Sequence, residues 1–176
     1  LGRSIRRQIV KDAEELPSDT LLFINLHPLD LLDEQLFDPR SGLAALSDRV
    51  VLEITERASL TGICDLSARL DRLRRLGFRF ALDDLGTGYA GLSSFTFLDP
   101  SVVKLDISLV RDVDKAPTKL SVIRAMVNLC QELGISVVSE GVETEEERDT
   151  LLEIGCDLLQ GFFFAKPSPG FVTPKF

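Results

Sequence analysis

The chain has 176 residues, a net charge of −8, 44% hydrophobic residues and 27% charged ones. This is the profile of one ordinary soluble globular domain with a core of its own, and the acidic balance argues against a nucleic-acid polymer as partner. Cys64, Cys130 and Cys156 match neither a zinc spacing nor a disulfide framework, and His27 is the only histidine, so a histidine-based zinc site or a Ser-His-Asp triad has little support. No apolar run is long enough to span a bilayer, and a reduced, cytoplasmic compartment is the expected setting.

The chain then alternates between two periodicities. Residues 3 to 15 read as a helix with Ile5, Ile9 and Val10 on one face, and Leu21 to Asn25 as a short buried strand. A helix is predicted from Pro28, carrying Leu29, Leu31, Leu32 and Leu36, and irregular chain from Phe37 to Ser47. Val50 to Thr55 is a strand with Glu53 in an otherwise apolar run. Ser59 to Leu76 is an amphipathic helix with Gly77 as its stop. Residues 78 to 83 form the third strand and Ser101 to Asp106 the fourth, with Lys104 inside it. Pro117 to Leu133 is a long helix, and Ile135 to Glu140 the fifth strand. Thr144 caps an acidic helix through Ile154, and Gly155 to Gln160 begins the sixth strand.

Such alternation predicts an α/β fold with a parallel sheet. An open doubly wound sheet usually carries a glycine-rich turn after its first strand, and none is present here. A (β/α) barrel instead places function at the C-terminal ends of many strands. Each apolar run here contains or ends on a polar group: Asn25, Glu53, Asp83 with Asp84, Lys104, Glu140 and Gln160. One such group would be a solvated strand end. Six in six predict one shared mouth.

Asn25, Glu53 and Asp83 are hard oxygen donors, which favours Mg²⁺ or Mn²⁺ over zinc. Asp84 beside Asp83 leaves room for two ions sharing Asp83, the arrangement used for in-line phosphoryl displacement. Lys104 is expected to hold water or phosphate, or to be a structural ion pair with one of the acids. Glu140 is the candidate proton acceptor, and Gln160 a positioning group. Enolase-like proton abstraction, with Lys104 as base, fits the same residues.

Six segments follow one another along the chain: Phe23-Ile-Asn-Leu26, Leu52-Glu-Ile-Thr-Glu56, Leu82-Asp-Asp-Leu-Gly-Thr-Gly-Tyr89, Val103-Lys-Leu-Asp106, Val138-Ser-Glu-Gly-Val-Glu-Thr144 and Cys156-Asp-Leu-Leu-Gln-Gly161, the last followed by Lys166-Pro167. In this order they resemble the EAL domain family of bacterial cyclic-di-GMP phosphodiesterases. The resemblance implies a modified (β/α)8 TIM-like barrel that hydrolyses cyclic-di-GMP to linear pGpG with two Mg²⁺ or Mn²⁺ ions. It implies Asn25, Glu53, Asp83 and Asp84 as metal ligands, and Lys104, Glu140 and Gln160 as catalytic groups. Glu56 and Glu143 resemble glutamates that support the site, and Gly86, Thr87 and Gly88 lie in a loop tied to substrate binding and dimer-dependent activation. A homodimer, upstream sensory or GGDEF-type domains, and a place in the cytoplasm or on the cytoplasmic side of a membrane-anchored sensor are implied as well.

The departures are specific. The glutamate-bearing motif that names the family does not occur before Leu21, nor does the arginine beside it. Six strand regions are counted where a closed barrel has eight. The expectation is therefore one domain over residues 1–176, short of its N-terminal portion and of one metal ligand. That argues against turnover by these residues alone, and leaves as a second reading a non-catalytic module that binds cyclic-di-GMP or a protein.

Overall fold

The computed structural model describes residues 2–55, 63–86 and 91–168, the side chains of 91–94 excepted. One sheet holds six strands: β1 (Leu22–Asn25), β2 (Val50–Thr55), β3 (Arg79–Leu85), β4 (Val102–Leu105), β5 (Ser136–Glu140) and β6 (Leu158–Gln160). Their spatial order equals their chain order, and every neighbouring pair is parallel. A doubly wound sheet would reverse its order at a switch point. This one does not, and it curls as part of a barrel.

Helix α1 (Gly2–Asp12) precedes the sheet, 3₁₀ turns lie between β1 and β2, and helices make the later crossovers: α2 (Leu66–Arg75), α3 (Gly91–Leu98), α4 (Ile107–Val110), α5 (Pro117–Glu132) and α6 (Glu145–Glu153). Strand alternation sends Leu52, Ile54, Phe80, Leu82, Val103 and Val137 outward into the main core beneath these helices. The residues between them point inward, where Val51, Ala81, Val102 and Val138 form a separate small cluster. Two buried faces explain why the strands read as continuous apolar runs.

Several sequence expectations need correction. The helix predicted from Pro28 is two 3₁₀ turns, Pro28–Leu32 and Glu34–Phe37, because the side chains of His27 and Asp33 each capture a backbone N–H two residues on and restart the chain. A further 3₁₀ segment, Ala44–Arg49, lies partly in the stretch read as irregular. The helix expected from Ser59 begins at Leu66, after Asp65 in the left-handed region; Ser59 to Gly62 lie outside the described residues. Helices α3 and α4 follow strands where no helix was predicted, each being short and lacking a long amphipathic stripe.

Candidate active site at the strand ends

The inner face changes character along each strand. Val51 is followed two residues later by Glu53, Ala81 by Asp83, Val102 by Lys104 and Val138 by Glu140, so each apolar inner residue has a charged one above it. Lys104 is at the centre. Its Nζ lies 2.6 Å from Glu53 Oε1, 2.6 Å from Glu140 Oε1 and 3.2 Å from Asp83 Oδ1. Glu53, Asp83 and Lys104 are all buried, at 5%, 8% and 7% exposure.

Asp84 joins this group through a backbone irregularity. In an unbroken strand, adjacent residues face opposite sides of the sheet. Between Leu82 and Leu85, however, β3 takes three steps while β4 takes two, from Val103 to Leu105. Asp84 sits at φ +58°, a left-handed conformation that aspartate tolerates better than most residues. This bulge brings oxygens of Asp83, Asp84 and Glu140 within 4.8 Å of one another. Bulges of this kind recur beside active sites, and nothing in the local residue pattern announced this one.

The electrostatics are unbalanced. Three carboxylates around one ammonium leave two negative charges in excess, and the Asp84 carboxylate lies beside them. Burial pushes the Glu53 and Glu140 carboxyls above their usual range; Lys104 partly offsets this, and the neighbouring acids push them further up. For Lys104 burial works against the charge, but Glu140 and Glu53 outweigh it, and the ammonium is held well above its ordinary pKa. An amine held in its protonated form by three carboxylates is poorly placed to act as a base, which weighs against the enolase-like reading. The ion-pair reading of Lys104 holds, with three acids rather than one.

Whether this set fits a divalent cation can be judged from two buried oxygens. Glu53 Oε1 and Asp83 Oδ1 are buried, and among the described residues neither meets a hydrogen-bond donor other than the Lys104 ammonium. Buried carboxylate oxygens that share one ammonium within a surplus of negative charge, with no thiolate or imidazole beside them among the described residues, suit Mg²⁺ or Mn²⁺. Glu140, assigned above to proton transfer, is also one of the clustered oxygen donors; Lys104 engages its Oε1.

The two edge strands contribute differently. Asn25 pairs in register with Glu53, and Gln160 with Glu140, which places both at the mouth's level. Both are exposed. Asn25 and Glu53 also line a cleft of about 550 Å³ with Arg6, His27, Leu29 and Thr55. Glu143 does not enter the acid cluster, since Arg111 holds its carboxylate. Gly86 ends β3 at φ +113°, while Glu56, Thr87 and Gly88 lie outside the described residues.

The EAL domain family model matches residues 1–167. The chain belongs to the EAL domain family. It is 36% identical over 172 residues to the cyclic di-GMP phosphodiesterase RocR of Pseudomonas aeruginosa, covering 96% of this chain and 43% of that protein. It is 34% identical over 171 residues to the probable cyclic di-GMP phosphodiesterase PdeG of Escherichia coli, covering 95% and 34%. The chain thus spans less than half the length of these relatives.

Among solved structures, Klebsiella pneumoniae BlrP1 in a manganese/cy-diGMP complex superposes with a TM-score of 0.84 at 37% identity, over 94% of this chain and 44% of that one. The EAL domain of Mycobacterium smegmatis DcpA also gives 0.84, at 32% identity over 95% and 79%. EAL domains have a TIM-barrel-like fold, in keeping with the consecutive parallel order seen here. Among the described residues no helix is long and apolar enough to cross a membrane.

Proposed function

We propose that this chain is a metal-dependent phosphodiesterase domain that opens cyclic-di-GMP to the linear dinucleotide pGpG. The observation that carries the reading is the convergence of Glu53, Asp83, Lys104 and Glu140, one from each of four consecutive strands, on a single ion cluster. The family and the activity named for its relatives support the choice of substrate.

In this reading Asn25, Glu53, Asp83 and Asp84 hold two Mg²⁺ or Mn²⁺ ions. When bound, the ions supply positive charge for the phosphate oxygens and acidify the attacking water. Glu140 accepts the water's proton at a carboxylate oxygen whose proton affinity burial has already raised. Lys104 keeps the carboxylates from repelling one another and offers its ammonium hydrogens to the water or phosphate. Gln160, at the level of Glu140 on β6, orients substrate through its amide. On the family resemblance we assign Thr87 and Gly88 to substrate binding and Glu56 and Glu143 to support of the site, the Glu143 carboxylate being held by Arg111. A homodimer, partner domains upstream and a cytoplasmic setting complete the proposal.

The test is to incubate this chain, and a form extended at its amino end, with cyclic-di-GMP and Mn²⁺ while following pGpG release. Release by either form supports the reading. Tight binding by both with release by neither assigns the chain to the non-catalytic binding modules instead.

A further inference from the structure

Three contacts tie the segment after Lys104 to the segment after Glu140. Helix α4 approaches Gly141 so closely that a Cβ there would sit 2.3 Å from Ile107 Cγ1. Gly141 has φ +72°, so both the space and the backbone call for glycine. Farther along, both terminal guanidinium nitrogens of Arg111 donate to Glu143, at 2.7 and 2.5 Å. The third contact is made by Glu147 in the first turn of α6, a carboxylate only 2% exposed.

Glu147 has two jobs that separate by oxygen. Its Oε2 accepts the amides of Glu143 and Thr144, at 2.9 and 3.3 Å, which is the reciprocal half of the α6 capping box. Its Oε1 leaves α6 and accepts the amide of Asp112, at 2.9 Å, in the loop after α4. A helix cap has no use for that second bond. Asp112 sits at φ +56°, a conformation that persists where the surroundings hold it. On its other side α4 bears on β3. Leu109 fills the space where a Cβ on Gly86 would sit 2.5 Å away, and the Asp106 amide donates to Leu85 O at 3.2 Å. The segment that Glu147 clamps therefore touches the ends of all three strands that carry Asp83, Asp84, Lys104 and Glu140.

We propose that Glu147 is a positioning residue that clamps the loop after β4 against the loop after β5 and thereby fixes the Lys104–Glu140 pair. The kinetic arm of its test rests on the phosphodiesterase reading; the structural arm does not. Glu147→Gln separates the two jobs, because one amide oxygen still serves the cap while the NH₂ is turned toward the Asp112 amide.

The expected result in the form that turns over cyclic-di-GMP is a kcat lower by about ten- to a hundredfold, the scale of a small misplacement. KM and the amount of folded protein are expected to stay within about twofold. In ¹⁵N-lysine NMR of the same protein, the ammonium signal of Lys104, identified by its loss in Lys104→Met, is expected to shift or broaden. A purely structural Glu147 would lower the melting temperature while leaving kcat per folded molecule and the Lys104 signal unchanged, and either unchanged value overturns the proposal. If the unsubstituted protein releases no pGpG, the phosphodiesterase reading fails on its own and the Lys104 signal still decides the clamp.

Discussion

The two faces of the sheet are made by the same strands and do opposite work. Outward, Leu52, Leu82 and Val103 are fully or almost fully buried among helices, as large aliphatic side chains whose removal from water stabilises the fold. Inward, a small apolar cluster of Val51, Ala81, Val102 and Val138 gives way toward the strand ends to Glu53, Asp83, Lys104 and Glu140. Burying four charges on one face is not a route to stability, since the cost of removing them from water rivals their attraction. The outer face holds the protein together; the inner one is organised for a charged ligand.

Substitutions on the two faces should therefore separate activity from stability. The largest effect is expected from Asp83→Ala: pGpG release falls by at least about a thousandfold, or about 4 kcal/mol of barrier, with the melting temperature little changed. Near-normal release would sink the two-ion assignment. On the outer face, Phe80→Ala should cost about 3–5 kcal/mol in urea unfolding, while kcat per folded molecule stays as it was.

Lys104→Met tests the charge surplus directly. It leaves Glu53, Asp83 and Glu140 without their shared cation, an expected loss of about 3 kcal/mol without metal. Saturating Mn²⁺ should restore more stability to this variant than it adds to the unsubstituted protein, read as a larger rise in melting temperature. Equal rises in the two proteins would show that ammonium and metal do not share these oxygens.

The outer core has its own titration. Burial, with a smaller contribution from Cys156, raises the Cys130 thiol to about 11 from 9.0. Because the folded protein keeps this proton after the unfolded chain has lost it, the contribution is present below about pH 9 and fades between 9 and 11. Two pKa units correspond to about 2–3 kcal/mol. Urea midpoints at pH 8 and pH 10.5 should draw apart less in Cys130→Val than in the unsubstituted protein. The smallest effect is expected from Asp84→Gly. Relief of the left-handed backbone should make it neutral or stabilising by up to about 1 kcal/mol, while Mn²⁺ binding weakens.

Much of this contrast is legible in the sequence. Glu53, Asp83, Lys104 and Glu140 stand out because a charge inside a run of Val, Ile and Leu has no local reason to be there. Helices α3 and α4 were missed because each is short, and the 3₁₀ turns after β1 were read as one helix because leucine spacing does not register the side-chain bonds of His27 and Asp33. In the sequence Glu147 is one acid among several in an acidic helix.

By itself the sequence determined the alternation of strand and helix, the outward apolar face and the placing of charged residues near strand ends, because these follow from side-chain period and hydrophobicity along the chain. Only the tertiary structure decided that Lys104 meets three acids at once, that a bulge brings Asp84 beside Asp83, and that Glu147 spans two loops. Those depend on register between strands and on the reach of one side chain across a loop. They are distances between residues far apart in the chain, and the side-chain pattern of a single segment does not contain them.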